Sequence, residues 1–187
     1  MISCGIDFGT SNSSVAVANG GDVKLVPVEE SQVTTPSAIF FAPQQMPVFG
    51  RGAVRLFFER RNGRFMRSLK RVLGTSLMKQ GTEINGRITK FDQVIAAFLE
   101  NLKQKTDAFT GVEIENVVLG RPVHFATDAE HDNLAQARLL QAAFRAHQQF
   151  RHGRPRRRAD PAAQRRRNPW PPQVGRRQRE TATGAAA

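Results

Sequence analysis

The segment Gly5-Ile6-Asp7-Phe8-Gly9-Thr10-Ser11-Asn12-Ser13 holds the residues best suited to chemistry. A short apolar run, Ser3–Asp7, delivers a carboxylate into a cluster of small, turn-forming residues. Gly9 lets the backbone approach a ligand with no side chain in the way. Successive backbone N–H groups in such a turn make a nest for phosphate oxygens. Thr10 and Ser11 add hydroxyl donors, and Asp7 supplies the hard oxygen preferred by a Mg²⁺ that keeps its waters. The same residues also suit a polar hairpin that holds nothing, since short Gly-rich turns are common. No Gly-Lys-Ser/Thr follows, so this is not a Walker A loop. Lys70 is a second candidate, either a phosphate-facing cation or a solvated lysine on a helix face.

Other reactive side chains have simpler readings. Cys4 sits inside a strand pattern as a small core residue and not a reactive thiol. A single cysteine excludes an internal disulfide and a Cys-based zinc site. His124 and His131, with Asp128 and Asp132 nearby, lack a second ligand pair and make a weak metal site. Arg55, Arg60, Arg61, Arg64, Arg67 and Arg71 interleave with Phe57, Phe58 and Phe65. That stretch could contact nucleic acid, but solvated arginines on amphipathic helices are commoner.

The elements that must position these residues alternate between strands and helices. Ser3–Asp7, Ser14–Ala18 and Val23–Val28, with a turn at Asn19-Gly20-Gly21-Asp22, predict an opening three-stranded antiparallel meander. Thr34-Thr35-Pro36-Ser37 leads into a short strand, Ala38–Phe41. Arg51–Arg60 and Phe65–Leu73 carry apolar residues at helical spacing. Phe91–Phe109 predicts the longest helix, with Val94, Ile95, Phe98, Leu99 and Leu102 as its buried stripe and Glu100, Lys103 and Lys105 outside it. Ile114–Leu119 is a near-continuous apolar run, hence a fully buried strand, and Asp128 caps a helix through Leu140 or slightly beyond. Ile6, Val15, Val17, Leu25, Val117, Val118 and Leu119 are expected to be buried. The fold class is α/β, a mixed sheet with flanking helices.

Charge divides the 187 residues in two. Residues 1–150 hold 17 Lys and Arg against 14 acids, while residues 151–187 hold 11 Arg, no Lys and only Asp160 and Glu180. The net charge of +12 therefore sits mostly in the last fifth of the chain. That segment has five prolines and, beyond Trp170 and Val174, no large apolar side chain. It cannot bury enough surface to offset its ordering entropy and is expected to lack persistent structure. Arg, Pro, Ala and Gly without Lys or Ile is what GC-rich codons give out of frame; an arginine-rich arm for nucleic acid is the other reading. No membrane-length apolar run or secretory signal is present, so a cytoplasmic location is expected.

Four motifs in one order resemble the heat-shock chaperone branch of the actin-like ATPases, the DnaK-like proteins. They are Gly5–Ser13 as a first phosphate loop, Thr34-Thr35-Pro36-Ser37-Ala38, Lys70-Arg71-Val72-Leu73-Gly74, and Val117-Val118-Leu119-Gly120-Arg121-Pro122-Val123. The Gly-Arg-Pro version of the last resembles the smaller YegD-type subgroup more than the chaperones with Val-Pro-Ala. Phe8 and Ser11 stand where Leu and Thr are commoner.

The resemblance covers residues 2–143 and implies the first lobe of an actin-like (ribonuclease H-like) nucleotide-binding domain, residues 1–143, followed by an Arg/Pro/Ala-rich tail, residues 144–187. It implies ATP and Mg²⁺ as cofactors and ATP hydrolysis as the family's reaction. Asp7 would hold a Mg²⁺-bound water, and Gly9, Thr10, Ser11 and Asn12 the phosphates. Lys70 would stabilise charge on the terminal phosphate, with Arg121 and Pro122 sensing the nucleotide. Client proteins, unfolded or assembling, are implied partners, and nucleic acid only a non-specific one through the tail. The Glu-Pro-x-Ala-Ala-Ala segment, second phosphate loop and adenosine loop that follow in the family have no match here. An inactive fragment ending out of frame is therefore expected. The reading from another class is an Arg-tailed nucleic-acid-binding protein on a passive α/β scaffold.

Overall fold

The computed structural model describes residues 2–73 and 75–120, together with residues 132, 133, 135–137, 139, 140 and 143, which are helical. The expected tail and its Trp170 lie outside the described residues, as do Asp128, Arg121, Pro122, His124 and His131.

Strand β1 (Ile2–Phe8) pairs antiparallel with β2 (Asn12–Asn19), and β2 with β3 (Asp22–Leu25). The β2–β3 loop is Gly20-Gly21, with φ of 59° and 98°, the positive values that a two-residue primed turn demands. The meander is thus present as expected. Alternation sends Cys4, Ile6, Phe8, Val15 and Val17 into the core. Strand β4 (Thr34–Pro36) pairs antiparallel with the start of β2, Ser13 opposite Thr35.

A second sheet is built from β5 (Ala38–Phe41), β6 (Val48–Phe49) and β7 (Arg64–Arg67) in the order β6-β5-β7. Helix α1 (Gly50–Phe58) seats Ala53 against Ala38 and Phe40 of that sheet. The carboxylate of Glu29 accepts the Arg51 N–H at 2.8 Å and pairs with its guanidinium, closing the helix start. Gly50 sits there at φ 63°, and a Cβ would collide with the Glu29 carboxylate and the Thr35 hydroxyl. Gly50→Ala is expected to lower unfolding free energy by about 1–3 kcal/mol; a denaturation midpoint equal to the parent's would refute this.

A hairpin of β8 (Gly81–Ile84) and β9 (Arg87–Lys90) turns on Asn85-Gly86, both at positive φ. Helix α2 (Phe91–Thr110) follows, ended by Gly111 at φ 72°. Val94, Ile95, Phe98, Leu99 and Leu102 bury against the first sheet's core, and Phe8 meets Phe98 at 5.8 Å between ring centres. Strand β10 (Asn116–Gly120) then lies parallel to β1, making the main sheet mixed, in the order β10-β1-β2-β3.

Four expectations are corrected. Phe65–Leu73 is not a helix: β7 pairs with β5, Met66 opposite Ile39, and a 3₁₀ turn (Leu69–Val72) follows Ser68, whose φ of 56° interrupts any helical path. Leu25 is exposed because it alternates outward on an edge strand, while Val26 and Val28 turn inward. Val117 and Val118 are exposed, since β10 has β1 as its sole partner among the described strands; Ile114, ahead of the strand, is the buried residue. Lys103 lies inside the buried face of α2, paired with Asp107 at 2.9 Å.

Candidate functional site

Parallel pairing of β1 and β10 brings Asp7 alongside Gly120 at the ends of both strands. A Cβ on Gly120 would stand 3.3 Å from the Ile6 carbonyl oxygen and 4.0 Å from Asp7 Oδ1, so glycine keeps this flank of the carboxylate open. Beyond β1 the chain turns through Gly9, where a Cβ would collide with the Asn12 carbonyl oxygen. Only glycine fits there, as the turn's sequence suggests.

The turn is latched from a distance by Ser37. Its hydroxyl donates to the Gly9 carbonyl at 2.8 Å, and its N–H donates to the Ser11 carbonyl at 2.9 Å. The hydroxyls of Ser13 and Ser37 lie 2.8 Å apart, both buried. With Ser37 donating to Gly9, Ser13 donates to Ser37. These bonds hold the turn in one conformation while Asp7, Thr10, Ser11 and Asn12 stay exposed. Reading along the sequence missed Ser37 and Ser13 as positioning residues. The Thr-Thr-Pro-Ser motif was the available signal, but not what it does.

Lys70 comes from the 3₁₀ turn after β7 and is half-buried. Burial lowers its pKa below the ordinary lysine value of 10.5, and the Asp7 carboxylate opposes that shift. Lys70 and Asp7, 63 positions apart in sequence, are therefore electrostatic neighbours. The charge of Lys70 thus lies close enough to the end of β1 to interact with that of Asp7. Arg121 and Pro122 follow directly on β10 but are not among the described residues.

Among the described residues no group of three His, Cys, Asp or Glu side chains is placed to hold a metal. A single carboxylate at Asp7 suits Mg²⁺ that retains waters and binds mainly through a nucleotide's phosphates. The tight turn that Gly9 permits, the exposed Thr10 and Ser11 hydroxyls and a nearby cation fit a phosphate chain. Cys4 is buried, and burial pushes its thiol up to about 11, so it is the inert core residue expected.

The family model described as Hsp70 protein matches residues 3–142. The chain belongs to the Hsp70 family. The match runs from the second residue of β1 through β10 to the helical residues up to 140, so nearly all of the mixed sheet and the turn after β1 fall inside the Hsp70 segment. No helix among the described residues is long and apolar enough to cross a membrane.

Proposed function

We propose that this Hsp70-family chain is the ATP-binding first lobe of a DnaK-like chaperone of the YegD type, carrying the first phosphate loop and ending out of frame. The observation that carries the reading is the turn after β1 that only Gly9 permits, inside the Hsp70 match, with the charges of Asp7 and Lys70 near enough to interact. ATP and Mg²⁺ are its ligands, the fold is actin-like, and unfolded or assembling proteins are its clients.

In this reading the turn's N–H groups and the Thr10 and Ser11 hydroxyls hold the phosphates, with Asn12 at the edge of the cradle. Asp7 orients a water in the metal's shell, and Lys70 offsets charge on the terminal phosphate. Arg121 and Pro122, next along the chain from β10, report on the nucleotide. Mg²⁺, when bound, neutralises phosphate charge. Positioning and electrostatics do the work, with no covalent step for the protein.

The coding DNA tests the reading of the chain's end. A one-base shift near codons 143–152 should restore a Glu-Pro-x-Ala-Ala segment and a Gly-Gly-Gly-Thr loop. If no frame restores them, the out-of-frame reading is wrong.

Lys70 also gives a pH test of the site. Its folded pKa is lowered by burial, so the ammonium is disfavoured relative to the unfolded chain. It loses its proton at a pH below 10.5, and with it the attraction for phosphate. Mg·ATP affinity should therefore fall as pH rises through that lowered value, and Lys70→Met should flatten the profile. An alkaline loss that persists in Lys70→Met would assign the titration to another group.

A further inference from the structure

Most of the surface around the end of α1 lies outside the proposed nucleotide site, with which it shares Thr10 and Ser11. Phe58 is 76% exposed and Phe57 49%, although both are large apolar side chains at a helix end. Phe57 stacks on Phe65 with ring centres 4.4 Å apart and planes 20° from parallel, and meets Phe58 edge-on at 5.7 Å. Two open cavities flank this ridge. One, of about 340 Å³, is lined by Val54, Phe57, Phe65 and Arg67 together with Thr10 and Ser11. The other, of about 550 Å³, lies between Phe57, Phe58 and Phe65 and the arginines Arg60, Arg61 and Arg64.

The charge around the ridge is predominantly positive. Residues 55–67 contain five arginines and a single carboxylate, Glu59. Glu59 stands 3.7 Å from both Arg55 and Arg61 in exposed pairs, which offset little of their charge. Arg64 donates to the Thr82 hydroxyl at 3.1 Å, and Arg60 and Arg67 have no carboxylate partner among the described residues. Arg60 is also held against its backbone preference. It ends α1 at φ 54°, with its N–H donating to Phe57 O and that of Arg61 to Leu56 O, a helix end that normally takes glycine.

We propose that this arginine-rimmed phenylalanine ridge binds single-stranded nucleic acid. Exposed aromatic faces accept bases without regard to sequence, while guanidinium groups beside them take the phosphates. Each cavity has room for a planar base. The chain's own residues 151–187, with 11 arginines and two acids, carry the same sign as the patch and do not complement it.

The test is fluorescence anisotropy of a short labelled oligothymidylate against the full chain, without nucleotide, across a salt series. Any contribution from residues 151–187 is common to all variants, so differences between variants read the patch. Phe58→Ala should weaken binding about tenfold with the salt slope unchanged. Arg67→Ala should lower the slope of log affinity against log salt by about 0.7. Arg60→Gly should do the same while leaving the denaturation midpoint equal or higher, which separates lost binding from lost folding. Val23→Ala, an equally exposed apolar loss on β3, should change nothing. Equal affinity across all the patch variants would overturn the proposal. Tight poly-glutamate binding that is lost with Phe58→Ala would also overturn it, because the surface would then be one for acidic peptides.

Discussion

Calorimetry should show the 187-residue chain binding Mg·ATP more weakly than roughly 0.1 mM, equivalent to less than about 5.5 kcal/mol. The reason lies in what surrounds the turn. Asp7, Thr10, Ser11 and Asn12 are exposed, and Lys70 is only half-buried. Charges in contact with water attract a phosphate chain weakly, because solvent and salt screen them.

The proposed full frame adds an opposing phosphate loop and an adenosine loop, and it should bind far more tightly. Asp7→Ala or Lys70→Ala in that longer chain should then abolish the gain, since each removes a charge aimed at the phosphates. The present chain should show no ATP turnover above background. Micromolar binding by the 187-residue chain would mean that some part of it already supplies the second wall. Tight binding by the longer chain that survives both alanines would remove Asp7 and Lys70 from the site.

The parts of this fold that sequence reveals are those with one consistent local signal. The meander is such a case, because alternation in β1 and β2 and the Gly20-Gly21 turn agree on the same register. Helix α2 is another, with its apolar residues at helical spacing and Gly111 at its end. In β7 the local signal misleads. Phe65, Leu69, Val72 and Leu73 keep helical spacing, yet pairing with β5 and the left-handed Ser68 decide the structure, and both are tertiary facts. The β8–β9 hairpin carried a legible Asn85-Gly86 turn signal that went unassigned.

The candidate site divides in the same way. Asp7 and Gly9 stand out because their types and spacing are unusual for a plain strand end. The Ser37 latch lies 28 residues from Gly9, and no local pattern shows two serines sharing a buried bond. The burial of Lys103 is equally hidden. Its i,i+4 spacing to Asp107 is visible, but an identical spacing on a solvated helix face is far commoner.

That buried pair should give the largest stability effect in the chain. Lys103 and Asp107 are each about 5% exposed and 2.9 Å apart, near enough to Cys4 of β1 to act on its thiol. Asp107 also accepts the Ile114 N–H at 3.0 Å, and its backbone carbonyl accepts that of Gly111, so it ties the end of α2 to the approach to β10. Asp107→Leu strips the lysine of a buried counter-charge and leaves the Ile114 N–H without its acceptor. A loss of about 3–5 kcal/mol is expected from breaking such a pair. Adding Lys103→Met removes the stranded charge as well and leaves only the Ile114 N–H to account for, about 1–3 kcal/mol. The double variant should therefore be more stable than Asp107→Leu alone, with a higher denaturant midpoint and an unchanged slope. Because β10 brings Gly120 beside Asp7, the single variant should also weaken whatever phosphate binding the parent shows. A double variant no more stable than Asp107→Leu would mean that the Ile114 contact, and not the charge pair, accounts for the whole effect.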